Sequence, residues 1–149
     1  MHEGTIRLAP LLFIFIVALT CVSRPVGAAE QAPVIHQLRI YEIFDKNKQA
    51  FHARFREHAM RIMAKYDFKI LAIWETQHNG RTEFVYLLQW PDRATLTDRW
   101  ARFMADAEWA AIKKRTAAEH GQLVGEIQDR VLNLQDYSPT HTFAVPGTL

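Results

Sequence analysis

Residues that staple small domains or build reactive centres are scarce in this sequence. It has one cysteine, six glycines and six prolines in 149 residues. A single thiol excludes an intramolecular disulfide framework and the paired-cysteine sites of zinc ribbons and iron–sulfur clusters. No glycine-rich phosphate loop occurs, and no His-Glu-x-x-His pattern, so nucleotide and zinc chemistry have no motif to rest on. The expectation is a domain with no cofactor and no metal. An excess of one charge is also missing. The formal net charge is +2, and because Glu3, Arg7 and Arg24 fall in the first 28 residues, the remainder is almost balanced. Nucleic-acid binding draws mainly on a surplus of Lys and Arg on one surface, so that class of partner is excluded.

The chain has one long uncharged apolar run, Leu8 to Val22, preceded by Arg7 and followed by Ser23-Arg24-Pro25. It is shorter than the roughly 20 residues of a membrane-spanning helix. The pattern predicts a signal peptide over residues 1–28, with Val26-Gly27-Ala28 as the small-residue site before a cut at Ala29. Cys21 leaves with the leader, so the mature domain has no thiol. The expected location is periplasmic or secreted; the alternative is a chain anchored in the membrane by an uncleaved N-terminal segment. Residues 29–34 read as a linker, and about 120 residues remain, enough for one domain.

Within that domain, residues 35–44 alternate as a strand. From Gln49 to Tyr66, Phe51, Phe55, Ala59, Ile62, Met63 and Tyr66 recur at helical spacing, with charged residues mostly between them. Residues 68–76 and 82–90 are β-rich runs separated by His78-Asn79-Gly80-Arg81, a strong hairpin signal. Asp92 can cap a second helix whose stripe, Leu96, Trp100, Phe103 and Met104, continues past Asp106 through Trp109 and Ile112. A last strand runs from Glu126 to Leu134, the domain closes at about residue 137, and residues 138–149 read as a loose C-terminal arm. The order β-α-β-β-α-β predicts an α+β, ferredoxin-like fold: a four-stranded antiparallel sheet with helices on one face.

The third strand, Phe84-Val-Tyr-Leu-Leu-Gln-Trp90, is apolar on both faces. Two helices cover one face of a sheet. The other, carrying either Tyr41, Trp74, Tyr86 and Trp90 or the complementary aliphatic set, would lie bare in a monomer. The expected solution is a homodimer with two sheets face to face, a dimeric α/β barrel.

His36-Gln-Leu-Arg39-Ile-Tyr41-Glu-Ile-Phe, Tyr66-Asp-Phe68-Lys-Ile-Leu-Ala-Ile-Trp74, Phe84-Val-Tyr-Leu-Leu-Gln-Trp90-Pro-Asp92 and Asp106-Ala-Glu108-Trp109, in this order, resemble the NIPSNAP family over about residues 35–135. The resemblance implies a dimeric α/β barrel domain and brings no catalytic activity with it. Where members often carry His in the third strand this chain has Tyr86, and the Pro-Gly turn often found after the first strand is here Asp45-Lys46-Asn47-Lys48.

The polar residues expected to face an internal cavity are Arg39, Tyr41, Glu75, Tyr86 and Gln89. Arg39 and Tyr41 share a strand face; together they could grip a carboxylate or enolate oxygen, or Arg39 could pair with an acid across the dimer. His58 lies near the apolar helix stripe and could move a proton, as could Tyr86. His52 and His58, six apart, do not stack as metal ligands. His36, His78 and His120 read as solvated. Trp74, Gln89 and Trp90 are candidates to line a ligand pocket, and Arg54, Arg56, Arg61 and Lys65 read as a solvated helix face. Three functions fit: a domain binding a small apolar molecule or a protein partner; a cofactor-independent oxygenase or isomerase acting on an aromatic or enolisable small molecule, with Arg39, Tyr41, His58 and Tyr86 as catalytic candidates; or a purely structural interaction module with a filled barrel and no pocket.

Overall fold

The structure, a computed structural model, describes Met1 and residues 34–143. The expected leader beyond Met1, Cys21, most of the linker and residues 144–149 lie outside the described residues. In chain order the elements are β1 (Ile35–Ile43), a single 3-10 turn (Asp45–Asn47), α1 (Lys48–Arg54), a π-helical segment (Phe55–Ala59), α2 (Met60–Lys65), β2 (Lys69–His78), β3 (Arg81–Trp90), α3 (Arg93–Ala105), α4 (Ala107–His120) and β4 (Val124–Asn133). The strands form one antiparallel sheet in the order β2-β3-β1-β4. This is the ferredoxin-like α+β arrangement.

Local chemistry accounts for the joints. Asn79 and Gly80 sit at φ 51° and 73°, the pair of left-handed residues that a two-residue hairpin turn requires. In the first helical region Phe51, Phe55, Ala59 and Met63 are all buried, yet three four-residue steps drift by about 40° each around a helix of 3.6 residues per turn. The wider π turn at Phe55–Ala59 absorbs that drift and keeps the stripe on the sheet.

The second helical region is two helices, not the continuous one expected. Asp106 is extended (φ −64°, ψ 120°), and its carboxylate accepts the Trp109 backbone N–H at 2.8 Å and the Tyr66 hydroxyl at 2.7 Å. It therefore ends α3 and caps α4. The apolar stripe crosses the break because Phe103 and Trp109 stack at 5.2 Å.

The helices pack on the sheet face that carries Ile35, Gln37, Arg39, Tyr41 and Ile43 of β1 opposite Trp90, Leu88, Tyr86, Phe84 and Thr82 of β3. Burial of each large apolar side chain there contributes about 1.5–3 kcal/mol. Phe84 sits edge-on to both Phe51 and Phe55, at 4.9 and 4.6 Å.

The opposite face is not the aromatic set. Tyr41, Tyr86 and Trp90 point to the helices, and only Trp74 of that group turns away. The cause is a register shift in β2 between Ile70, opposite Leu88, and Ala72, opposite Leu87. One extra residue reverses the alternation beyond it. Trp74, opposite Val85 and half exposed, thus joins Leu38, Ile40, Val85 and Leu87 on the face the helices leave uncovered.

Candidate functional site

Between the helices and the β1–β4 side of the sheet lies a half-open cleft of about 760 Å³. Its floor is Arg39 and Tyr41 of β1 with Ile127 and Asp129 of β4. Its walls come from α1 and the segments after it (Arg54, Phe55, Met63), from α3 (Leu96, Trp100, Met104) and from α4 (Trp109, Lys113). The volume is in the range of small-molecule sites, and the lining is predominantly apolar with a few polar groups, as such sites usually are.

A hydrogen-bonded network built on Gln37 fixes the floor. Gln37 is fully buried. Its amide oxygen accepts the indole N–H of Trp90 at 3.0 Å and of Trp100 at 2.8 Å. Its amide nitrogen donates to both oxygens of Asp129, at 2.9 and 3.0 Å. Asp129 in turn accepts from Arg39 Nη1 at 2.7 Å. The ion pair foreseen for Arg39 across a dimer is therefore made within the chain, because β4 places Asp129 opposite it.

Arg39 continues the network. Its guanidinium carbon lies 4.5 Å from the centroid of the Trp100 ring, and Nη2 donates to the Tyr41 hydroxyl at 3.2 Å. Tyr41 and Tyr86 share a hydrogen bond of 2.8 Å. Arg39 Nε is buried with no partner among the described residues. Burial, followed by the neighbouring Tyr41, pushes the Tyr86 phenol well above its ordinary pKa. At neutral pH Tyr86 is a protonated phenol, able to share its hydrogen bond but not to act as a base.

Arg39, Tyr41 and Tyr86 thus come together. The other candidates disperse. His58 is half-buried on the π segment and does not line the cleft. Glu75 binds Lys48 and His52, both at 2.8 Å, on an exposed edge. Trp90 is core, while Trp74 and Gln89 lie on the opposite sheet face.

His36, expected in solvent, is buried. Phe143, the last described residue, packs on its ring at 4.8 Å. Burial and nearby Lys69 lower the His36 pKa, favouring the neutral ring.

Arg54 also departs from expectation. Arg56, Arg61 and Lys65 are exposed, but Arg54 lines the cleft, donating to Thr116 Oγ1 at 3.2 Å and lying 5.7 Å from the Trp109 ring centroid. Its position three residues after Phe51 places it on the flank of the apolar stripe, a signal available in the spacing. Gln37, Asp129 and Lys113 carried no comparable signal.

An antiparallel ferredoxin-like sheet with a half-open, largely apolar cleft under its helices defines a class of small α+β domains. Within that class, the sequence profile of NIPSNAP matches residues 36–139, and the chain belongs to the NIPSNAP family. Among solved structures it is similar to a NIPSNAP family protein from Agrobacterium tumefaciens strain C58, with 21% identity, TM-score 0.61, and 71% of this chain and 97% of that one covered. It is also similar to an uncharacterized NIPSNAP-like domain protein from Burkholderia xenovorans, with 20% identity, TM-score 0.58, and 76% and 96% covered. These likenesses establish the fold. No curated protein matches the chain significantly in sequence.

Proposed function

We propose that this protein is an exported homodimeric domain that binds a small amphipathic molecule in the cleft. The observation that carries the reading is the cleft itself, about 760 Å³ and walled mainly by Phe, Met, Leu and Trp side chains. Export rests on the leader pattern of residues 1–28. The dimer rests on the sheet face bearing Leu38, Ile40, Val85, Leu87 and Trp74, which are half-buried or exposed; a second sheet laid on it would cover a patch that monomers rarely leave bare.

The test uses a neutral apolar fluorophore, N-phenyl-1-naphthylamine. It should bind saturably, and Ala117→Trp, a substitution at an exposed position lining the cleft, should abolish binding. Binding that survives this substitution, or no binding at all, refutes the reading. Light scattering should give twice the chain mass, and N-terminal mass spectrometry a chain beginning at or near Ala29.

A second reading, a cofactor-independent oxygenase or isomerase, is favoured by Arg39 and Tyr41 on the cleft floor, with buried Tyr86 behind Tyr41, a pair of donors that suits an enolate oxygen. Among the described lining residues Asp129 is the only carboxylate, Arg39 and Gln37 already hold it, and none is a histidine, so none is placed as a base. Oxygen uptake or proton exchange with an enolisable aromatic substrate would reverse this preference.

A further inference from the structure

We propose that the ligand of this cleft is an anion: an amphiphile with one acidic head group bound at Arg54 and Lys113 and an apolar body lying along Met63, Leu96 and Met104. The inference rests on the reading of the cleft as a ligand site and adds the charge of the ligand and its orientation.

The charges in the cleft do not cancel. Its described lining holds three cations, Arg39, Arg54 and Lys113, and one carboxylate, Asp129. Asp129 is paired with Arg39. Arg54 donates only to the neutral hydroxyl of Thr116, and Lys113 lies 5.8 Å from the Trp109 ring centroid. Among the described residues neither makes an ion pair.

Among the described residues, the cations outside the cleft either make an ion pair or, like Lys46, Lys69, Arg93, Lys114, Arg115 and Arg130, stand exposed to water. Lys48 pairs with Glu75, Arg61 and Lys65 with Glu108, Arg81 with Glu126 and Arg99 with Asp67. Arg54 and Lys113, both half-buried, therefore flank the Trp109 ring inside the cleft without a counter-ion, where even partial removal from water is costly. Burial lowers the Arg54 pKa, and only Tyr41 acts against it. On the cleft floor the Nε of Arg39 is a buried donor without a partner among the described residues.

The remainder of the cleft asks for apolar surface. Met104 is 54% exposed at the mouth and Ile127 47%. An acidic head would neutralise Arg54 and Lys113 through charge-assisted bonds, and an aliphatic or aromatic body would cover the rim. A neutral lipid would leave the cations unpaired, and a small inorganic anion would leave the rim bare.

Decanoate and 1-decanol are matched probes, differing in the charge of the head. Each is titrated against the purified chain by displacement of N-phenyl-1-naphthylamine. Decanoate is expected to bind about tenfold more tightly than decanol. Arg54→Gln and Lys113→Gln should each remove most of that preference while leaving decanol affinity unchanged. Lys113 is half-exposed, so its variant keeps the test sound if Arg54→Gln disturbs the fold.

Equal affinities, or a preference that survives both substitutions, overturn the inference and leave the cleft reading standing. Failure of both probes to displace the fluorophore overturns the inference, and failure of the fluorophore itself to bind overturns the cleft reading with it.

Discussion

Replacing Gln37 by Leu tests the network under the cleft with almost no change in volume. The substitution removes the shared acceptor of two indole N–H groups. Trp90 is 1% exposed, so its N–H is left buried and unmet, at a cost of about 1–3 kcal/mol. Trp100 stands on the cleft wall and can turn to water, so it loses only the net value of its bond, about 0.5–1.5 kcal/mol. Asp129 keeps Arg39 and is partly exposed, and contributes little. The expected loss is about 1.5–4.5 kcal/mol, a large share of the roughly 5–15 kcal/mol of an ordinary domain and equivalent to a fall in Tm of roughly 6–18 °C.

Urea unfolding followed by tryptophan fluorescence should show this as a lower midpoint with an unchanged slope. Gln37→Glu makes the complementary test. It preserves the acceptor for both indoles but sets a carboxylate against Asp129, which raises the pKa of the pair. A raised folded-state pKa favours the fold below the ordinary carboxylate pKa and weakens it as pH rises, so this variant should be more stable at mildly acidic than at alkaline pH relative to the parent. A Gln37→Leu protein that unfolds within about 0.5 kcal/mol of the parent, the scatter of an ordinary surface substitution, would refute the network.

Three further outcomes follow from other sites. Asp106→Ala removes the cap of α4 and the Tyr66 hydroxyl's partner and should cost about 1–2 kcal/mol in thermal unfolding, with Asp106→Asn retaining most of the cap. Glu108, held by Arg61 first and Lys65 second, has its carboxyl pKa lowered from 4.5 to about 2. A depressed folded-state pKa stabilises above the unfolded value and is lost as pH falls through the folded one, so Glu108→Gln should flatten the stability profile between about pH 4.5 and 2. Spectrophotometric titration should find that Tyr86, whose pKa burial raises above 10, ionises only on unfolding. The sign is opposite to that of Glu108: its contribution is full below pH 10 and lost as pH rises through the folded value.

The strands were legible because alternation, the Asn79-Gly80 turn and the Pro91-Asp92 stop are local signals. Strand four was placed within two residues at its start, Val124 against Glu126. The faces of the sheet were harder. The bulge after Ile70 leaves no mark in a run of apolar residues, yet it decides whether Trp74 meets the helices or turns away. The break at Asp106 was hidden by Phe103 and Trp109, which carry one stripe across two helices.

Strand parity put Arg39 and Tyr41 on one face, and Tyr86 meets them because β1 and β3 pair without a shift. Gln37, Asp129 and Lys113 were not legible, because nothing local distinguishes a polar residue that organises a cleft from one facing solvent. Their roles come from tertiary pairing of β1 with β4 and from the packing of α4 against the first helical region.

The most direct test of the cleft is the set of four indole N–H resonances in an NMR titration with N-phenyl-1-naphthylamine. Trp100 and Trp109 line the cleft, and Trp74 on the opposite sheet face is the internal control. The predicted result is a saturable shift of the Trp100 and Trp109 signals with Trp74 unmoved, lost in Ala117→Trp. A shift of Trp74 without the other two, or no shift in any, would contradict the account.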